Sequence, residues 1–117
     1  MAEVTIYHNP RCSTSRKALA LLQERGITPQ VIEYLKTPPS ADELLQIAAA
    51  TGEPLRALLR TKQPEYLAQG LNDPALSDAQ IAYAMVATPV LIERPIVMND
   101  KGARLGRPVE NILEILD

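Results

Sequence analysis

The chain has 117 residues, of which 46% are hydrophobic, and a formal net charge of -2 at pH 7. This is the length of one domain, and a chain of this size buries roughly two thirds of its unfolded surface. Without a basic excess, general nucleic-acid binding gains no support, and no apolar run approaches the roughly 18 residues of a membrane span. Because residues 1–10 also contain no hydrophobic signal segment, we expect a cytoplasmic protein.

The first third of the chain has the pattern of a strand–helix–strand unit. Residues 3–7 alternate apolar and polar side chains and are rich in β-branched residues, as a strand is. Over residues 13–25 the apolar side chains recur at helical spacing, and Gly26 stands where a helix would end. Residues 30–34 are predicted to form a second strand.

The middle of the chain is predicted to be helical. Two segments start with a capping-box pattern, a serine followed three residues later by Glu or Gln, at residues 40–43 and 77–80. Prolines and a glycine interrupt residues 54–72, which we predict to be short helices and loops. We interpret the stretch of about 36–88 as a helical insertion.

The last third of the chain returns to strands and ends in a helix. Residues 90–92 and 95–99 are predicted strands, and residues 103–106 are predicted to pair back after a turn. Pro108 fits the first position of a closing helix, with one apolar face made by Val109, Ile112, Leu113 and Leu116. The order predicts a single α/β domain over residues 1–117, with a mixed sheet in a thioredoxin-like arrangement.

Cys12 is the only cysteine, and it lies between the first predicted strand and the start of the first helix. A helix N-terminus presents free N–H groups and the positive end of the helix dipole, which lower a thiol pKa. Arg11, Arg16 and Lys17 are near in sequence, and the three hydroxyl residues at 13–15 add donors. The alternative is a buried, inert cysteine. The polar and basic surroundings of Cys12 favour the interpretation as a reactive cysteine.

His8 and the arginines leave several interpretations open. His8 could pair with Cys12, transfer a proton, or simply hydrogen-bond the loop. One His and one Cys cannot fill a structural zinc site, so we expect no metal. Arg94 and Arg107 are favoured as oxyanion ligands because each precedes a proline at the start of a predicted element. The remaining candidates, among which spacing does not separate Arg60 from Arg56, are Arg25, Arg56, Arg60 and Arg104.

The loop at residues 8–16, HNPRCSTSR, resembles the active-site loop of the glutaredoxin-linked arsenate reductase family. Matching motifs follow along the chain: YL at 34–35, PPS at 38–40, RALLR at 56–60, ERPIV at 93–97 and RLGRP at 104–108. The resemblance implies a thioredoxin-like fold of four strands with flanking helices and a helical insertion. It also implies a proline held in cis, at Pro95. The site residues it implies are Cys12 as nucleophile, His8 and Ser15 as its assistants, and Arg60, Arg94 and Arg107 as oxyanion ligands.

The resemblance also implies the reaction and its partners. In this family the thiolate attacks arsenate, glutathione reduces the thiol–arsenate adduct, and glutaredoxin resolves the mixed disulfide. Arsenate would thus be reduced to arsenite with glutathione as co-substrate, glutaredoxin as partner and no tightly bound cofactor. Because the chain has no second cysteine, the thiols must come from outside. We expect a monomer, since a site built around one loop needs no second subunit.

Two other functions fit parts of the pattern. Ser13 stands where the resistance enzymes often carry Gly, and the chain stops at Asp117 where they continue with a polar tail. The pattern is therefore closer to housekeeping paralogues, and a glutathione-linked thiol–disulfide enzyme is the first alternative. The second is a non-catalytic regulatory protein that binds a partner such as RNA polymerase. That branch often has a CxxC switch, whose second sulfur is replaced here by Ser15.

Overall fold

The computed structural model describes residues 3–116; Met1, Ala2 and Asp117, which the domain prediction included, lie outside it. A four-stranded sheet in the order β2-β1-β3-β4 is at its centre. β1 pairs with β2 in parallel and with β3 antiparallel, and β3 pairs antiparallel with β4. The predicted α/β class and mixed sheet are confirmed. The strands are β1 (Thr5–His8), β2 (Gln30–Glu33), β3 (Ile96–Asn99) and β4 (Gly102–Leu105).

Four α-helices accompany the sheet. They are α1 (Ser13–Glu24), α2 (Ala41–Thr51), α3 (Pro64–Ala68) and α4 (Asp78–Ala87). Both predicted capping boxes are formed, because Ser40 and Ser77 each exchange hydrogen bonds with the residue three positions later. α2, α3 and α4 lie between β2 and β3 in the chain, in the stretch for which the sequence predicts a helical insertion. None of the helices within residues 3–116 is long and apolar enough to cross a membrane.

The two faces of the sheet pack against different parts of the chain, because side chains alternate along each strand. Ile6 and Val97 point to the face covered by α1 and by the C-terminal segment. Tyr7 and Ile96, their neighbours in the strands, point to the face covered by α2 and α4. The core is mainly aliphatic, as expected for a chain without Phe and Trp, and Tyr7 and Tyr34 are aromatic side chains buried in it.

The strand predicted at residues 90–92 is wrong. Pro89–Leu91 is a turn of 3₁₀-helix, and beyond it Ile92 forms a single bridge with Leu59. The segment is apolar because it is buried, and a short buried run has no period that separates strand from helix. Thr88 and Pro89 then decide the conformation, since their carbonyl groups accept the turn hydrogen bonds of Leu91 and Ile92.

The closing helix is present, but its type and its apolar face differ from the prediction. Val109–Ile115 is a 3₁₀-helix that follows Pro108. Its buried residues are Ile112 and Ile115, whereas Leu113 is exposed. Side chains three residues apart align in a 3₁₀-helix, so Ile115 joins Ile112 on the buried face. The α-helical spacing used in the prediction had assigned that face to Leu113 and Leu116.

Candidate active site

The sheet brings three distant segments to one end. β1 and β3 are antiparallel, with Tyr7 opposite Ile96, so the loop that follows β1 lies beside the segment that precedes β3. β3 and β4 are also antiparallel, and Ile96 is opposite Leu105. Residues just before β3 and just after β4 therefore meet at this end. This register places Arg94 and Arg107 near the Cys12 loop.

A close backbone contact joins the two arginine segments. The Gly106 N–H donates to the Pro95 carbonyl oxygen over 2.8 Å. A Cβ atom at Gly106 would lie 2.8 Å from Pro95 Cγ, so a larger residue does not fit without movement. The Arg94–Pro95 peptide is cis, as the resemblance implied, and so is the Arg107–Pro108 peptide.

Arg60 reaches the same end through a separate pairing. The Arg60 N–H donates to the Leu91 carbonyl at 2.7 Å, and the Glu93 N–H donates to the Leu58 carbonyl at 2.7 Å. These bonds align residues 58–60 with the segment that leads into Arg94. Arg56, which spacing did not separate from Arg60, instead donates to the carbonyl groups of Leu71 and Asp73. The structure thus distinguishes the two arginines of the RALLR motif.

Cys12 caps the N-terminus of α1 and is half-buried. Burial raises the pKa of its thiol. The backbone N–H of Ser15, the charge of Arg94, the N–H of Thr14 and the charge of Arg107 together lower the pKa by more, so it lies below its ordinary value. The two N–H groups face the sulfur without the geometry of a full capping hydrogen bond. Cys12 therefore has a larger thiolate fraction at neutral pH than a free cysteine.

The cations that act on the thiol are not those expected from proximity in sequence. Arg94 and Arg107, more than 80 residues along the chain, lower the thiol pKa. Arg16 donates instead to the Pro10 carbonyl at 2.9 Å, and its charge acts on His8. Arg11 is exposed at the surface of the loop. The predicted electropositive setting is present, but it comes from tertiary contacts.

His8 and Ser15 are both buried and bonded to each other. His8 Nδ1 lies 2.6 Å from Ser15 Oγ, which also accepts from the Asn9 N–H at 3.0 Å. Burial lowers the pKa of His8, a shift that Arg16 reinforces and Glu33 opposes, so the imidazole is neutral at neutral pH. These bonds hold the first turn of α1 against the end of β1. The backbone N–H of Ser15 is thereby fixed beside the sulfur of Cys12.

Replacing Ser15 by alanine tests this coupling. In Ser15→Ala, His8 Nδ1 and the Asn9 N–H lose their partner, so we expect the free energy of unfolding to fall by about 1–3 kcal/mol. We also expect the Cys12 pKa to rise, because the first turn is no longer held in place. Urea unfolding measures the first effect, and the pH dependence of iodoacetamide alkylation measures the second. Ser13→Ala, at an exposed position of the same turn, is the control, and equal behaviour of the two variants would contradict the coupling.

The three arginines implied by the resemblance are close together. Arg107 Nη2 lies 3.6 Å from Cys12 Sγ, and Arg107 Nε donates to the Arg94 carbonyl over 2.9 Å. Burial lowers the pKa of Arg60, and the charges of Arg94 and Arg107 lower it further. Like charges are thus crowded beside a thiolate, an arrangement that favours an additional anion.

Sequence reasoning missed two residues that hold these guanidinium groups. Glu93 Oε1 accepts from Arg94 Nη1 at 3.0 Å and lies 3.9 Å from Arg60 Nε. With its amide oriented to satisfy both groups, Gln63 accepts from Arg60 Nη2 at 2.8 Å. Glu93 was visible in the ERPIV motif next to Arg94, whereas Gln63 lies in a loop and carries no sequence signal.

The other arginine candidates have other contacts. Arg104 Nε donates to Glu114 Oε1 at 2.8 Å, and Arg104 is not among the charges that lower the pKa of the Cys12 thiol. Arg25 follows the end of α1, and Asp100 and Lys101 line the cavity beside it. Among residues 3–116 there is no group of three or more His, Cys, Asp or Glu side chains that could hold a metal ion.

Fold and site together define a thioredoxin-like α/β protein in which one activated cysteine caps a helix beside a cluster of arginines. Residues 7–115 match the sequence profile of the ArsC family, and the chain belongs to this family.

Similar proteins are arsenate reductases. The one from Rhizobium meliloti strain 1021 is 49% identical over 113 residues, which are 97% of this chain and 81% of that protein. One from Escherichia coli is 47% identical over 116 residues, 99% of this chain and 82% of that protein. The solved arsenate reductase of Vibrio cholerae superposes with a TM-score of 0.94 at 50% identity, covering 97% of this chain and 98% of that chain. The resemblance drawn from the motifs and the thioredoxin-like fold are confirmed.

Proposed function

We propose that this protein reduces arsenate to arsenite, with Cys12 as the nucleophile and glutathione and glutaredoxin as the source of electrons. The observation that carries the proposal is the contact of 3.6 Å between the Arg107 guanidinium and the sulfur of the only cysteine. A guanidinium at that distance can bind an oxygen of the anion that the thiolate attacks. Relatives named arsenate reductase support the choice of oxyanion.

The residues of the site divide the work of binding and attack. Arg60, Arg94 and Arg107 bind the oxyanion and offset its charge against that of the thiolate, which would otherwise repel it. The Cys12 thiolate forms a bond from sulfur to arsenic, and one oxygen of arsenate leaves as hydroxide or water. Neutral His8, through Ser15, keeps the turn of α1 in the position that activates the thiol.

The reduction itself requires a second thiol. A glutathione thiolate forms a disulfide with Cys12, and the electron pair of the sulfur–arsenic bond stays on arsenic, which leaves as arsenite. Glutaredoxin then attacks the mixed disulfide and releases Cys12 as thiolate. The lone cysteine supports this route, because no second sulfur of the chain can form the disulfide. The route also requires a reducing compartment, so we place the protein in the cytoplasm. We also propose that it is a monomer, since a site built around one loop needs no second subunit.

A coupled assay tests the proposal. The protein is mixed with arsenate, glutathione, glutaredoxin, glutathione reductase and NADPH, and the loss of NADPH absorbance is followed. We expect consumption that requires arsenate, glutathione and glutaredoxin together, and each is omitted in turn.

The outcomes separate the proposal from its alternatives. Consumption that persists without glutaredoxin would keep arsenate reduction by glutathione and overturn the role proposed for glutaredoxin. If arsenate causes no consumption while Cys12 is still alkylated rapidly at neutral pH, arsenate is not the substrate. A glutathionylated peptide is then the next substrate to test, and its reduction would identify a thiol–disulfide enzyme.

A further inference from the structure

Tyr34 follows β2 and has a hydroxyl group that the fold leaves without an acceptor. The side chain is 0% exposed, and within the described residues the hydroxyl has no hydrogen-bond partner. The Asn9 side chain lies close enough to lower the pKa of this hydroxyl, but no hydrogen bond joins the two groups. The hydroxyl hydrogen is therefore unused. A buried donor without an acceptor is costly, and such groups in native proteins call for a physical explanation.

The unused hydroxyl faces the candidate active site. The charges that act on it are those of Arg94, Arg60 and Cys12. Burial raises the pKa of Tyr34, so the hydroxyl keeps its hydrogen over the whole physiological range. Tyr34 thus offers the site an uncharged donor, next to groups that offer charged ones.

A second buried donor in the same place is also without a partner. Nε of Arg94 is buried and makes no hydrogen bond within residues 3–116. The nearby acceptor, Glu93, is engaged by Arg94 Nη1 and faces Arg60. The guanidinium groups that act on Tyr34 are donors themselves, and the Cys12 sulfur is a weak acceptor that already faces Arg107. A ligand that is rich in acceptors can satisfy both donors at once.

We propose that Tyr34 is a further oxyanion-binding residue, whose hydroxyl donates a hydrogen bond to an oxygen of the anion held beside Cys12 by the arginines. This inference rests on the proposed function, to which it adds a contact. A tetrahedral oxyanion has an acceptor oxygen in each direction, so it can accept from Tyr34 and from Arg94 Nε while it remains in contact with the other arginines. A neutral donor also adds affinity without adding to the repulsion among three guanidinium groups.

The experiment measures binding separately from turnover. Inorganic phosphate, which the thiol cannot reduce, is titrated against the rate at which iodoacetamide alkylates Cys12, the only cysteine of the chain. In Tyr34→Phe we expect the phosphate concentration for half protection to rise about ten- to a hundredfold, the range for a hydrogen bond to a charged acceptor. Tyr83→Phe, at a position 74% exposed, is the matched control and should protect as the unmodified protein does.

The stability of the ligand-free protein gives a second readout. Tyr34→Phe removes an unsatisfied group and keeps the ring, so without phosphate its melting temperature should equal or exceed that of the unmodified protein. A lower melting temperature, or equal half protection in the two proteins, would overturn the inference, because the hydroxyl would then serve the fold or a buried water. NADPH consumption unaffected by Tyr34→Phe, together with equal protection, would leave the proposed function intact.

The unmodified protein can also be tested directly. The chain has no Trp and four tyrosines, so its near-ultraviolet absorbance comes from tyrosine. We expect phosphate to produce a tyrosine difference spectrum, as the Tyr34 hydroxyl becomes a hydrogen-bond donor, and Tyr34→Phe to lack it. A phosphate-bound protein with no difference spectrum would contradict the contact, whatever the variant does.

Discussion

Replacing Cys12 by serine is expected to reduce arsenate-dependent NADPH consumption to the rate without the protein. A serine hydroxyl is almost entirely protonated near neutral pH, so the nucleophile is lost while the arginines remain. Removing the nucleophile of a hydrolase can cost about 10⁶ in turnover, and we expect a loss of at least about a thousandfold here. Initial rates in the coupled assay, at equal concentrations of folded protein, measure this loss.

The same variant should fold, which makes a loss of activity interpretable. Cys12 is the N-cap of α1, and serine is among the best N-cap residues. The pKa of Cys12 is lowered in the folded state, so its contribution to stability is present above the pKa of the unfolded thiol and is lost as the pH falls through the folded value. Unmodified protein should therefore gain stability relative to Cys12→Ser as the pH rises from 6 to 9 in parallel urea unfolding. Activity near that of the unmodified protein in Cys12→Ser would exclude Cys12 as the nucleophile.

Arg107→Ala should have the second large effect, on both the thiol and the oxyanion. Arg107 lowers the Cys12 pKa and lies 3.6 Å from the sulfur, so its loss should raise the pH midpoint of Cys12 alkylation. The lost donor should lower kcat/KM for arsenate by about 10²–10³, as removal of an oxyanion-binding donor does in other enzymes. Arg107→Lys keeps the charge but not the planar fork, so most of the lowered pKa should be retained while kcat/KM still falls.

Arg11→Ala is the matched control for Arg107→Ala. Arg11 is the nearest cation to Cys12 in sequence, but it is exposed and is not among the groups that lower the thiol pKa. Its removal should leave the alkylation midpoint and kcat/KM unchanged. If Arg11→Ala moved the midpoint as far as Arg107→Ala does, general positive charge would explain the activation, and the specific contact would not.

The parts of the fold that were predicted correctly depend on local chemistry. Ser40 and Ser77 form capping boxes with residues three positions away, so the starts of α2 and α4 follow from a few neighbouring side chains. The placement of Cys12 at the start of α1 was predicted for the same reason, from the change of periodicity after the first strand. At residues 90–92 a strand and a 3₁₀ turn would bury the same apolar side chains, so the local pattern did not distinguish them and the strand prediction was wrong.

The sequence alone was enough to predict the class of the fold, which is confirmed, and to single out Cys12 and, through the family motifs, three arginines as candidates for the site. Tertiary structure was needed to decide which cations act on the thiol, because the interaction between charges depends on their distance in space. The antiparallel pairing of β3 with β1 and β4 puts Arg94 and Arg107 next to Cys12. It was also needed to reveal the unpaired Tyr34 hydroxyl. Whether a buried polar group has a partner depends on every element packed around it, and no local pattern contains that information.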